Sequence, residues 1–325
     1  VIRSLKRWNG HLYNWYNIKT LEPLRPAFIS TVDSGNFVGY LFVVREVLEK
    51  ENKKELRDAV NEIIVNTDFS KLYDYDKNLF SIGYDLSENK LVDSYYDLLA
   101  SEARQASFIA IAKRDVSYKQ WFNLGRSFTV VDGYKGLVSW AGTMFEYFMP
   151  NVIMPSYEYS LLEETYRFCV YSQKEYARKL GIPWGISESA FNLQDLDYNY
   201  QYKAFGIPWL GLKRGLKEEV VVAPYASLIT IDKNYRSVLE NTKLLKSIGA
   251  YDRFGFYESV DYTPSRLSKG KKFEVVKTYM AHHQGLILLS INNFLNNNIL
   301  QKRFSDNPEI KAVDILLQEK IPQTI

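Results

Sequence analysis

The acidic residues best placed to do chemistry in this chain are those without charged neighbours. Glu188 stands in Gly181-Ile-Pro-Trp-Gly-Ile-Ser-Glu-Ser-Ala-Phe191, where glycine and proline break regular structure while the side chains stay apolar. A loop of that kind packs inward, so the carboxylate between Trp184 and Phe191 is partly stripped of water, with Ser187 and Ser189 available to hydrogen-bond it. The plainer alternative is a glutamate capping the next helix. Glu102, in Ser101-Glu-Ala-Arg104, has an apolar run on each side, and it reads equally as a reactive acid or as half of a buried ion pair. Glu146 is the one ionisable residue in Leu137–Met149 and must be paired, hydrogen-bonded or protonated. Small Ala141 and Gly142 beside Trp140 leave room there for a ligand. Glu258 and Asp261 lie in the aromatic segment Gly255–Arg266, where an internal ion pair with Arg266 is the favoured reading.

Carboxylates among aromatics are the equipment of glycoside cleavage. One acid protonates the leaving oxygen, and the other attacks the sugar carbon or activates water. Other chemistries lack their parts. There is no Gly-x-Ser-x-Gly elbow for a serine nucleophile, and no glycine-rich loop to cradle phosphate. Adjacent His282 and His283 point about 100° apart on a helix, and His11 is far away in sequence. They suit sugar hydroxyls or a carboxylate better than a metal ion. The single Cys169 excludes an internal disulfide and any cysteine-built zinc cluster. No cofactor and no metal are called for.

Composition agrees with a neutral substrate. The 41 basic and 38 acidic residues are mixed along the chain, so no basic face offers itself to nucleic acid. No apolar run approaches the roughly eighteen residues of a membrane span, and no membrane contact by the chain itself is expected. Localisation reads as cytoplasmic, with a domain cut from a membrane-anchored bacterial protein as the alternative reading; oligomeric state is not indicated. Aromatic residues reach 15%, with 25 tyrosines and 6 tryptophans. Their apolar faces and polar tips suit sugar rings, although an AT-rich coding sequence would also raise tyrosine. The expected sugar-binding surface comprises Asp33, Asn36, Trp140, Glu146, Tyr147, Trp184, Phe191, Tyr202, Glu258, Tyr262, Arg266, His282, His283 and Gln284.

The elements that must position these groups alternate between apolar and amphipathic helices. Apolar segments run over 37–48, 95–112, 136–149, 220–231 and 272–292. Amphipathic or polar ones run over 54–65, 117–123, 157–180, 233–248 and 310–320. Asp33 to Asn36 mark the start of the first, and Asp232 caps the segment that ends at Gly249. Buried helices alternating with exposed ones predict an all-α fold, a toroid of inner and outer helices. About five pairs are visible where six are needed, so the first hairpin is expected to be missing from a single domain spanning 1–325. Small β elements, such as Phe80 to Tyr84, belong in the connections.

Several motifs in series are similar to one known family. His11-Leu-Tyr-Asn-Trp-Tyr16, Ser30-Thr-Val-Asp-Ser-Gly-Asn36, Tyr96-Asp-Leu-Leu-Ala-Ser-Glu-Ala-Arg104, Trp184-Gly-Ile-Ser-Glu-Ser189 and Tyr279-Met-Ala-His-His-Gln-Gly285 resemble the glycoamylase-like domain of cyclic β-1,2-glucan synthases. Phe205–Arg214 and Asp261–Arg266 fit the same pattern, and the resemblance runs from Trp8 to Pro322. It implies an (α/α)6 toroid and a retaining transglycosylase that cuts linear β-1,2-glucan and rejoins it, with Glu188 as nucleophile and Glu102 as acid/base. Relatives of the same fold include inverting endo-β-1,2-glucanases, and a non-catalytic glucan-binding role is a third reading. The glycosyltransferase and membrane helices of the synthases are not in this sequence.

Overall fold

Helix α1, Thr31–Lys50, begins where the Ser30 hydroxyl accepts a hydrogen bond from the Asp33 amide at 3.1 Å. The helix thus starts a turn earlier than its Asp-Ser-Gly-Asn sequence suggests. Gly35 and Gly39 are packing positions inside it: a Cβ on Gly35 would lie 2.5 Å from the Ala106 methyl, and one on Gly39 2.8 Å from Ile153 Cδ1. The missing side chains let α3, Arg104–Ala112, approach closely, and every residue of α3 is buried. Between them in sequence lies α2, Lys54–Asn66, and α4, Lys119–Asn123, follows α3. The remaining helices are α5, Met144–Phe148; α6, Leu161–Leu180; α7, Pro224–Leu228; α8, Ile231–Ser247; α9, Ala281–Leu295; α10, Ile299–Ser305; and α11, Pro308–Lys311. The computed structural model describes residues 1–320, so Pro322, where the family resemblance ends, lies outside the described residues.

The fold is helix-rich, and its strands are two to six residues long, grouped in sheets of two or three. The chain divides into two compact units. The first holds Val1–Gly125, Ile153–Pro155 and Leu300–Gln318; the second holds Arg126–Val152, Ser156–Ile299 and residues 319–320. In the first unit Arg45 of α1 donates to both carboxylate oxygens of Glu309 and to Asn307 Oδ1, which fastens α11 to α1.

Several apolar segments are only partly helical. In 95–112 only the last nine residues form helix, because Tyr95–Tyr96 pairs as a strand with Phe80–Ser81 and Leu99 bonds to the Gly125 carbonyl. Leu79–Ser81 and Gly83–Asp85 likewise join two different sheets instead of one hairpin. In 136–149, Tyr134–Leu137 pairs with Phe128–Val131, and Gly136 lies so flat on α6 that a Cβ would come 2.1 Å from the Phe168 ring. Helix begins there only at Met144. In 220–231, Val221–Val222 is a strand, and Pro224 opens the short α7. Asp232 sits in the first turn of α8, whose N-cap is Thr230. Apolar character reported burial in each case, whereas close backbone approach decided strand against helix.

His11 shows how the first unit is sealed. It is 1% exposed, packs edge-on to Phe69 with ring centroids 5.2 Å apart, and donates from Nε2 to the Asp68 carbonyl at 2.9 Å. Its Nδ1 is buried and accepts no hydrogen bond among the described residues. Burial therefore lowers its pKa to about 4, against the small upward pull of the Asp68 carbonyl. A histidine depressed in the folded state contributes stability that is complete above its unfolded pKa and is lost as pH falls toward the folded value. Between pH 6.5 and 4 the unfolding free energy should drop by about 3 kcal/mol from this group. Urea titrations across that range should show the slope in the parent protein and its loss in His11→Gln.

Candidate functional site

The loop Trp184–Glu188 has buried backbone but little strand pairing of its own, so its polar groups must be satisfied by other means. Two side-chain amides do this. Gln173 of α6 accepts from the Ile186 amide and donates to the Ile186 carbonyl, both at 2.9 Å. Asn241 of α8 accepts from the Trp184 amide at 3.0 Å and donates to its carbonyl at 2.8 Å. Gly185 between them has φ +118, and its carbonyl accepts from Ala223 at the start of α7. A Cβ at Gly185 would lie 3.2 Å from the Ser227 nitrogen, so both conformation and space favour glycine.

Glu188 emerges from this clamp half-buried and leads into the strand Ser189–Gln194. Tyr202, on the return strand Tyr200–Lys203, donates its hydroxyl to Glu188 Oε1 at 2.8 Å. Behind it, Tyr225 donates to the Glu188 carbonyl at 3.1 Å and bonds Ser187 Oγ at 2.8 Å. Burial, and secondly the charge of Glu188, raises the pKa of both tyrosines well above the usual phenol value, so both stay protonated donors. His283 of α9 stacks on the Tyr225 ring at 3.7 Å. Its Nδ1 faces Glu258, 3.0 Å from Oε2, and its Nε2 stands 3.5 Å from the Tyr202 hydroxyl. Glu258 also accepts from the Ala190 amide at 3.2 Å. Glu188, Tyr202, His283 and Glu258 thus form one connected row.

The glycoamylase family model, described as "Putative glucoamylase", matches residues 94–308. The chain belongs to the glycoamylase family. By that membership it is a glycoside hydrolase or transglycosylase. It is 43% identical over 270 residues to the cyclic beta-(1,2)-glucan synthase NdvB of Rhizobium meliloti (strain 1021), covering 83% of this chain and 10% of that much longer protein. An endo-beta-1,2-glucanase from Chitinophaga pinensis, solved with sophorotriose and glucose, superposes with a TM-score of 0.75 at 16% identity, over 98% of this chain and 78% of that one. An endo-beta-1,2-glucanase from Talaromyces funiculosus, solved with sophorose, gives 0.68 at 13% identity, over 97% and 73%. At such identities the two structures share the fold.

In this glycoamylase-family chain the expected site residues meet different fates. Glu188, Tyr202, Glu258 and His283 come together as described. Ser187 and Ser189 do not bond the Glu188 carboxylate: Ser187 serves Tyr225 and the Phe145 amide, and Ser189 Oγ is buried with no partner among the described residues. No helix follows Glu188, so a helix cap is also excluded. Glu146 is not a sugar ligand but the third residue of a capping box. Its carboxylate accepts from the Ser139 hydroxyl and from the amides of Ala141 and Thr143 at 2.8–2.9 Å. Tyr147, 1% exposed, donates to the Leu137 and Leu210 carbonyls and presents no face to a ligand.

Trp184 and Phe191 are likewise core rather than wall, at 7% and 8% exposure. Arg266 binds Asp261 and Glu219 and lies 4.7 Å over the Phe191 ring, which ties the hairpin to its neighbouring sheet. Glu258, by contrast, pairs with His283 and not with Arg266. Tyr262 is half-buried against Phe273, and Gln284 donates to the Phe256 carbonyl. Trp140 and His282 are exposed, and His282 lies 5.6 Å from the Phe145 ring. No cluster of three or more metal-ligating side chains occurs among the described residues, nor any helix long and apolar enough to cross a membrane.

In the first unit, Glu102 is half-buried in the turn before α3, where the Ser101 hydroxyl donates to its Oε2 at 3.1 Å. Asp33 is exposed in the first turn of α1, and Asn36 accepts from Gln105.

Sequence reasoning missed Gln173, Asn241 and Tyr225. Gln173 had a readable signal: it falls on the apolar stripe Tyr166, Cys169, Val170, Ala177 of α6, where a lone amide must have a partner. Replacing it with alanine leaves both Ile186 backbone groups buried and unpaired. Gln173→Ala should therefore cost about 3 kcal/mol, read by urea denaturation, and should increase protease cleavage between Trp184 and Glu188.

Proposed function

We propose that this chain is a retaining glycosidase or transglycosylase acting on linear β-1,2-glucan, with Glu188 as nucleophile. The observation that carries this reading is the setting of Glu188, a half-buried carboxylate on a clamped loop with a protonated tyrosine on one oxygen. A fixed, partly desolvated carboxylate is suited to attack at a sugar carbon. The choice of β-1,2-glucan is supported by the name of the synthase relative and by the two endo-β-1,2-glucanases that share the fold. The all-α (α/α)6 toroid and a single domain over 1–325 belong to the same proposal.

Glu102 is assigned as acid/base on its motif, Ser101-Glu102-Ala103-Arg104. In the first step it protonates the leaving oxygen while Glu188 attacks C1. In the second it takes a proton from the acceptor, a sugar 2-hydroxyl for transfer or water for hydrolysis. When the acceptor is the chain's own non-reducing end, the product is a ring. The endoglucanase relatives favour hydrolysis as a second reading, in which water takes the acceptor's place.

Incubation of the protein with linear β-1,2-glucan should give products that retain the anomeric configuration by proton NMR, and rings one water lighter than the linear chain by mass spectrometry. Inverted product would replace the nucleophile role of Glu188 with that of a base. Glucan left intact but bound would reduce the chain to a binding protein. Glu188→Gln should lower turnover by at least about 10³-fold, as loss of a nucleophile does, with its thermal unfolding unchanged.

A further inference from the structure

The row Glu258–His283–Tyr202–Glu188 contains more polar groups than two-step cleavage requires. Glu258 and His283 are 2% and 1% exposed, too buried to touch a sugar. Yet a carboxylate and an imidazole are costly to bury unless each is well partnered, and here each partners the other. In the tautomer whose Nδ1–H donates to Glu258, Nε2 is the acceptor that faces the Tyr202 hydroxyl at 3.5 Å. Stacking on Tyr225, at 3.7 Å and 16°, prevents the ring from turning away. Tyr202 has one proton and two acceptors within reach, Glu188 Oε1 at 2.8 Å and His283 Nε2 at 3.5 Å.

We propose that Tyr202 is a positioning residue whose hydroxyl proton follows the state of Glu188, and that Glu258 and His283 act only by offering that proton its second acceptor. This rests on the reading of Glu188 as nucleophile. In the free enzyme the full charge of the carboxylate is the stronger acceptor, and the hydroxyl donates to it. Once Glu188 is esterified to the sugar, the charge on Oε1 is gone and its acceptor strength falls. The hydroxyl then rotates to Nε2, with no covalent bond made or broken at Tyr202. When the ester is cleaved, the proton swings back to the carboxylate as its charge returns. The buried pair thereby offers the Tyr202 hydroxyl a protein acceptor in the intermediate.

Two measurements test this. The first needs no substrate: the carboxyl carbon of Glu188 is followed by ¹³C NMR through a pH titration. Tyr202 and Tyr225 are among the ionisable groups that face it, with His283 and Glu258 behind. A donor favours the ionised form, so Tyr202→Phe should raise the midpoint of Glu188 by about one pH unit. An unchanged midpoint overturns the proposal whether or not glucan is the substrate. A moved midpoint in a protein that leaves glucan untouched sinks only the substrate reading.

The second is a double-mutant cycle in steady-state turnover of linear β-1,2-glucan. Tyr202→Phe should lower kcat by about tenfold with KM little changed, since the lost bond matters beyond binding. Glu258→Gln keeps the volume and a hydrogen-bond acceptor for Nδ1 but removes the charge, and should lower kcat severalfold. Added to Tyr202→Phe it should cost little further, because its route through the Tyr202 hydroxyl to the Glu188 carboxylate is gone. Multiplicative losses in the double variant would show that Glu258 acts elsewhere and would overturn the proposal. Thermal unfolding of each variant separates these effects from loss of fold.

Discussion

A buried loop whose strand pairing is a single bridge, Ile186 to Val222, is the constraint on which the site depends. The backbone from Trp184 to Ile186 is withdrawn from water, and each unpaired amide or carbonyl there would cost on the order of 1–3 kcal/mol. Gln173 and Asn241 supply two bonds each, in the pattern a neighbouring strand would have made. They stand on α6 and α8, so the position of Glu188 is inherited from two long helices rather than from the loop's own preferences. Gly185 permits the close approach that brings these partners within reach.

The second organising principle is how buried acids are neutralised. Glu146 is surrounded by a hydroxyl and two amides of its own turn, and burial still raises its pKa. Asp261 is held by Arg266, and Glu258 by His283 and an amide. In the second unit these three carboxylates have structural partners close by. Glu188 differs in being half-exposed, and a neutral tyrosine donates to its carboxylate. A neutral donor orients a carboxylate without consuming its charge, as an arginine or lysine would.

How much of this was legible in the sequence depended on the range of the interaction. The long amphipathic helices α2, α6 and α8 follow from periodicity, and of the three only α6 has a side-chain cap, Ser160, to mark its start. Glu188 was legible because a charged residue in a Gly-Pro-aromatic loop conflicts with its surroundings. Glu146 looked equally odd, and its partners lie within seven residues, yet nothing in Ser-Trp-Ala-Gly-Thr announces a turn that consumes a carboxylate. The Glu258–His283 pair joins residues 25 apart, and Tyr225 reaches Ser187 across 38. Contacts at such separations are set by packing, which leaves no local periodicity to read. The short strands were illegible for a related reason: Val221–Val222 is apolar whether it pairs or coils, and only its register with Val260 and Asp261 decides.

The hairpin that carries Tyr202 opposite Glu188 has one further property. Its ladder pairs Ser189 with Lys203 and Ala190 with Tyr202, then shifts register before Gln194 meets Tyr200. Beyond that irregularity the tip closes on itself: Asp195 accepts from the amides of Asp197 and Asn199, while Leu196 stands 99% exposed. The base of the hairpin and its tip are therefore mechanically separate modules. Loop length is thermodynamically cheap, at about 0.6 kcal/mol per doubling. Evolution, or a protein engineer, can lengthen or exchange residues 195–199 and reshape what the surface meets, while the residues facing Glu188 keep their register.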